Sequence, residues 1–105
     1  MICVSVLYPN GSDTHFDHSY YLSAHMPLVM ERLHSFGLLR YEVDRGLGGG
    51  APDSPAAFAA VGRLYFQTID EFQTGMTAHG AEILGDIPNY TNIQPQIQVS
   101  ELTVS

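Results

Sequence analysis

Lysine is absent from this chain, and Arg32, Arg40, Arg45 and Arg63 are its only fixed cations. Set against eleven acidic residues, they leave a formal charge of −7. Such a surface repels phosphate backbones and anionic bilayers, which argues against nucleic-acid and membrane partners. Cysteine is nearly absent as well. Cys3 stands alone, so no disulfide forms within the chain, and the composition suits a reducing cytosol. Its place early in a β-rich run marks a buried, inert thiol rather than a nucleophile. No apolar run approaches the ~20 residues of a membrane span, and Met1 to Leu7 has neither the basic start nor the small-residue cleavage site of a signal peptide. The expectation is a cytoplasmic protein with one domain over residues 1–105.

What is present reads as alternating elements. Ile2 to Tyr8 is rich in β-branched residues and stops at Pro9-Asn10-Gly11-Ser12, a strand followed by a turn. Asp17 is a natural N-cap for a helix from His18 to about Phe36, with Gly37 as its C′ residue. Leu22, Met26, Val29 and Leu33 make the buried stripe of that helix. Leu39, Tyr41 and Val43 alternate with Arg40, Glu42 and Asp44, the period of a half-buried strand. Gly46 to Pro55 is a loop, and a further strand runs from about Ala57 to Phe66. Thr68-Ile69-Asp70-Glu71 is a capping box that opens a second helix, weakened by Gly75 and Gly80. A loop through Gly85, Pro88 and Tyr90 leads to a last strand, Gln94 to Val104. The order strand, helix, strand, strand, helix, strand is that of an α+β ferredoxin-like domain: a four-stranded antiparallel sheet with two helices on one face.

Helices can cover only one side of that sheet. In the third strand Phe58, Ala60, Leu64 and Phe66 point one way and Ala57, Ala59, Val61 and Tyr65 the other, so both faces are expected to be apolar. Soluble monomers rarely expose so large a patch. Packing it against a second copy recovers about 25 cal/mol per Å², and a symmetric homodimer is the simplest closure. The expectation is an α/β barrel of two chains whose enclosed cup shelters the site.

The chemistry concentrates at Tyr20-Tyr21-Leu22-Ser23-Ala24-His25-Met26-Pro27. Tyr21 and His25 share a helix face, Tyr20 lies about 100° away, and Pro27 removes a backbone donor, so it bends or breaks the helix there. A histidine titrating near neutrality can both take and give a proton. A buried tyrosine seeks a partner for its hydroxyl, which an imidazole or a substrate carbonyl can supply. His25 and His79 are the candidate acid/base pair, each near a helix irregularity. Tyr20, Tyr21, Tyr65 and Tyr90 are candidate pocket residues, Asp86 can orient a histidine or cap a turn, and Arg45 can meet a substrate carboxylate or an acid of a neighbour. The glycines after Arg45 are no phosphate loop, since neither Lys-Ser/Thr nor a helix follows. The scattered histidines and single cysteine support no metal site, and no cofactor is expected.

Val4-Ser5-Val6-Leu7-Tyr8-Pro9, Tyr20-Tyr21-Leu22 with His25-Met26-Pro27-Leu28-Val29, Arg45-Gly46-Leu47-Gly48-Gly49-Gly50 and Gly85-Asp86-Ile87-Pro88-Asn89-Tyr90-Thr91 resemble, in order, the blocks of the EthD family. That family is named for a bacterial gene cluster for degrading ethyl tert-butyl ether, which also encodes a cytochrome P450. The resemblance implies the dimeric α/β barrel and carries labels of reductase or oxidoreductase, without a catalytic set to transfer. Ala78-His79-Gly80 followed by Gly85-Asp86 more distantly resembles plant polyketide cyclases, in which the corresponding histidine works as acid/base with a tyrosine. The resulting expectation is a small catabolic protein holding an apolar or carbonyl-containing intermediate. Cofactor-free histidine chemistry of isomerase, cyclase or dehydratase type is the first reading. An oxidoreductase of ether degradation and a non-catalytic carrier for a P450 product are its rivals.

Overall fold

A computed structural model describes all residues, 1–105. Strand β1 (Ile2–Pro9) leads through a loop to a helical rod in three parts: α1 (His18–Tyr20), a π-helical turn (Tyr21–His25) and α2 (Met26–Leu33). A 3-10 turn, His34–Phe36, and left-handed Gly37 (φ 107°) end the rod. Strands β2 (Arg40–Arg45) and β3 (Phe58–Phe66) flank the glycine-rich loop. Helix α3 (Ile69–Gly85), a 3-10 turn (Ile87–Asn89) and β4 (Gln96–Glu101) complete the chain. The sheet order is β2-β3-β1-β4, antiparallel throughout, with both helices against one face. This is the ferredoxin-like α+β arrangement that the element order predicts.

Local chemistry accounts for the boundaries. The Asp17 carboxylate accepts from the Tyr20 amide at 3.0 Å. At the start of α3, Thr68 Oγ1 accepts from the Glu71 amide at 3.2 Å while Glu71 returns a carboxylate oxygen to the Thr68 amide at 3.0 Å. This reciprocal cap satisfies donors that the first turn would otherwise leave bare. Helix α3 runs unbroken through both glycines, and Gly75 is buried against Leu33 and Phe36, where its missing side chain lets the helices approach.

Register sorts the sheet residues. Ile2, Val4, Val6 and Tyr8 of β1 stand beside Ala60, Gly62, Leu64 and Phe66 of β3 on the helix side, joined by Ile97 and Val99 of β4. They meet Tyr21, Met26, Val29, Leu33 and Ile83 in one core. The far face is less apolar than β3 alone suggests. Its middle is Cys3, Leu7, Ala59 and Val61, but β4 contributes Gln96, Gln98 and Ser100, and β2 contributes Arg40, Glu42 and Asp44. Arg63 forks onto Asp44 at 2.8 and 2.9 Å. The Arg40 guanidinium lies 4.1 Å from the Tyr65 ring centre, and the Tyr65 hydroxyl donates to Glu42 at 2.7 Å. A charged lattice thus shields much of the side expected to be bare.

Candidate active site

The site begins with a proline. Pro27 has no N–H, and its ring would collide with the carbonyl four residues back. The turn ahead of it widens, so that the Met26 amide reaches the Tyr21 carbonyl in π-helical fashion and Pro27 falls in the first turn of α2. The rod therefore continues through Pro27 without a break. The extra residue in the wide turn rotates Leu22 off the stripe, leaving it 54% exposed, and puts Tyr21 in the core beside His25, which shares the buried stripe of Val29 and Leu33.

His25 is only 4% exposed, and its Nδ1 lies 2.9 Å from Asp86 Oδ2. Asp86 caps the end of α3, where the turn through Pro88 folds Asn89 back so that its amide donates to Asp86 Oδ1 at 2.9 Å. The Tyr20 hydroxyl donates to the same oxygen at 2.8 Å. The turn is held against the start of the rod by Asp17 N–H donating to the Tyr90 carbonyl at 2.7 Å and by a bridge between Phe16 and Thr91. These bonds carry Asp86 and Tyr90 to His25 across the chain.

The electrostatics define protonation. Burial pushes the His25 imidazole below its ordinary value of 6.5, and Asp86 only partly opposes it. Burial would raise Asp86, yet the hydrogen bonds from Asn89, His25 and Tyr20 together hold its carboxyl below the usual range. An ionised carboxylate only accepts, so neutral His25 carries its proton on Nδ1 and presents a lone pair at Nε2. That nitrogen has no hydrogen-bond partner in the protein and is not sealed from open space.

Around the imidazole stand aromatic rings. Tyr21 lies nearly parallel to it at 5.5 Å and Tyr90 tilted at 4.7 Å between centres. The Tyr8 and Tyr90 hydroxyls share a hydrogen bond of 2.6 Å, and the Tyr21 hydroxyl reaches the sheet over Gly62, where any added Cβ would collide with it. Burial raises the pKa of Tyr8, Tyr21 and Tyr90, so all three remain neutral donors. A cavity of about 50 Å³ opens between helices and sheet, lined by His25, Tyr8, Tyr21 and Gly62 with aliphatic residues of both layers. Of its lining residues only Leu84 (45%) and Ile97 (48%) are exposed, so its mouth lies between α3 and β4. No cation lines it. The space accommodates a few heavy atoms or one end of a larger molecule.

The structure brings together Tyr20, Tyr21, His25, Asp86 and Tyr90. It does not bring the other candidates. His79 is half-buried on α3 with its ring edge-on to Phe36 at 5.5 Å, and it does not line the cavity. Tyr65 alternates with Leu64, so it lies on the far sheet face under Arg40. Arg45 ends β2 in a separate open cleft. The cavity lies within one chain, on the helix side of the sheet. Tyr8, Phe16, Gly62 and Asn89 do not stand out as site residues in the sequence. Tyr8 is detectable through its parity with Val4 and Val6, and Asn89 through its place three residues after Asp86 in a proline turn. No three His, Cys, Asp or Glu side chains cluster as metal ligands would, and no helix is long and apolar enough to cross a membrane.

Comparison with known proteins places the chain. No curated protein matches it. A solved EthD-like protein from Ralstonia eutropha JMP134 is 44% identical over 99% of this chain and 93% of its own, with a TM-score of 0.94. Two further structures share the fold alone. One is a dimeric ferredoxin-like protein from an uncultured marine organism (9% identity, 100% and 97% coverage, TM-score 0.56). The other is SnoaB, a cofactor-independent oxygenase from Streptomyces nogalater (13%, 99% and 93%, TM-score 0.52). The family model for the EthD domain matches residues 10–94, and with that span and the 44% relative the chain belongs to the EthD family.

Proposed function

We propose that this protein holds a small neutral compound bearing a carbonyl or phenolic oxygen and moves one of its protons without a cofactor. The observation that carries the reading is the His25 imidazole, which lines an apolar cavity, is backed by Asp86 at 2.9 Å through Nδ1 and leaves Nε2 unpartnered. Nε2 takes the proton, and the Asp86 carboxylate steadies the imidazolium that results. The neutral hydroxyls of Tyr8 and Tyr21, which line the cavity, are the donors available to an oxygen gaining negative charge. With no cation lining the cavity and a carboxylate behind the base, an anionic substrate is disfavoured. Isomerase, cyclase and dehydratase reactions share this first step. The test is deuterium exchange from D2O into the α-positions of small ketones, from acetone to cyclohexanone, followed by NMR. Exchange above the buffer rate is expected, and neither binding nor exchange across the series would contradict the reading.

A second reading keeps the base and alters the fate of the carbanion, which meets dissolved oxygen and makes the protein an oxidoreductase. Its support is the fold shared with the cofactor-independent oxygenase SnoaB. Oxygen consumption dependent on protein and ketone distinguishes it. Tight binding with neither exchange nor oxygen uptake would identify a carrier.

The assembly we propose is a homodimer packed through the far sheet face, in a cytoplasmic setting that rests on the lone Cys3. Its support is the half-buried Leu7 and Val61 at the centre of that face and the dimeric description of one protein of this fold. The Arg40, Glu42, Asp44 and Arg63 lattice then becomes a polar rim. Light scattering at micromolar concentration is expected to return twice 11.5 kDa, and a monomer would rule the dimer out.

A further inference from the structure

The charge pairing on the surface leaves one cation over. Arg32 is matched to Glu82 at 2.7 Å, Arg40 to Glu42 at 2.6 Å and Arg63 to Asp44 at 2.8 Å. Arg45 has no acid within ion-pair distance, in a chain with eleven acidic residues and four cations. Its sequence neighbour Asp44 points to the opposite sheet face, where Arg63 occupies both oxygens. Asp17, near the same end of the sheet, uses its carboxylate to cap α1. The local acids are thus committed elsewhere.

Arg45 lies in an open cleft of about 300 Å³ with His15, His18 and Phe16 among its walls. Neither imidazole makes a hydrogen bond in the protein. The His18 ring rests on Phe16 at 4.7 Å between centres, and Phe16 in turn packs on Tyr8 and Tyr21 at 4.9 Å, which separates the cleft from the His25 cavity. Burial and then Arg45 lower the His18 pKa against the pull of Asp17.

We infer that this cleft binds the carboxylate of a small ring-bearing acid, with the Arg45 guanidinium gripping both oxygens, the His15 and His18 N–H groups adding donors and Phe16 meeting the ring. A planar guanidinium fork matches a carboxylate in two parallel bonds, and a monoanion suffers less long-range repulsion from the acidic chain than a phosphate dianion does. The inference stands apart from the reading of His25, because the ligand never reaches that cavity.

The test is titration of the full chain with sodium benzoate, followed through the His15 and His18 ring resonances. Saturable shifts are expected, with the His18 titration midpoint moving upward as benzoate offsets the Arg45 charge. Arg45→Gln is expected to weaken binding at least tenfold, Arg45→Lys less, and His25→Ala not at all. Inorganic phosphate is expected to compete more weakly than benzoate. Non-saturating shifts, equal affinity in Arg45→Gln, tighter phosphate than benzoate, or loss of binding in His25→Ala would each overturn the proposal. So would an Arg45→Gln chain that turns monomeric and binds benzoate unchanged, since Arg45 then serves the interface.

Discussion

Replacing His25 by alanine is expected to leave a folded chain whose ketone exchange falls by about 10²–10⁴-fold, the range over which a positioned general base contributes. The fold survives because Asp86 keeps two of its three side-chain partners, the Tyr20 hydroxyl and the Asn89 amide, so its carboxylate is not stranded. The gap left by the ring adjoins a cavity already present, and the neighbouring rings of Tyr21 and Tyr90 remain supported by Tyr8 and Phe16. His25→Gln separates base from spacer: its amide can still donate to Asp86, yet it offers no nitrogen lone pair of comparable basicity. Both variants are expected to be silent in exchange and folded by circular dichroism. An undiminished rate in either would remove His25 from the chemistry.

Asp86→Asn is expected to silence the site almost as completely while leaving the imidazole in place. Tyr20 and Asn89 both donate to Oδ1, at 2.8 and 2.9 Å, so the carbonyl oxygen of the new amide settles there. Its NH₂ group must then face His25 Nδ1. A donor meeting Nδ1 forces the ring proton onto Nε2, and the lone pair that should accept the substrate proton disappears. The imidazolium also loses the carboxylate that stabilises it. A comparable change in the serine hydrolase triad costs about 10⁴-fold, and a loss of at least about 10²-fold is expected here. Nitrogen-15 NMR of the ring should show the proton moved to Nε2. Wild-type exchange, or an unmoved proton, would mean that Asp86 merely ends its helix.

How the site is assembled explains which parts of it are legible in the sequence. Elements closed by local chemistry can be read directly: Asp17 and Thr68 announce their helices, and Gly37 announces a stop. The Tyr21 and His25 pairing follows from helical spacing. The wide turn does not, because Pro27 can kink, break or widen a helix, and only packing chooses among them. That choice exchanges Leu22 for Tyr21 in the core. Asp86 and His25 are 61 residues apart, and their meeting depends on the Phe16–Thr91 bridge, which no periodicity signals. His79 misleads because a short likeness places it in the site, whereas the rotation of α3 turns it toward Phe36. Tyr65 misleads because aromatic residues at strand spacing do not reveal which face is covered. Strand β3 taken alone suggests a bare far sheet face, whereas the outer strands β2 and β4 prove polar there.

Everything proposed for His25 depends on a neutral imidazole with its proton on Nδ1 and a free lone pair at Nε2. Nitrogen-15 chemical shifts of the His25 ring, followed from pH 8 to pH 4, measure this without any substrate. At neutral pH Nδ1 is expected to be protonated and Nε2 bare, with the ring charging only below the ordinary histidine value of 6.5. A ring already charged at pH 7, or one carrying its proton on Nε2, would contradict it.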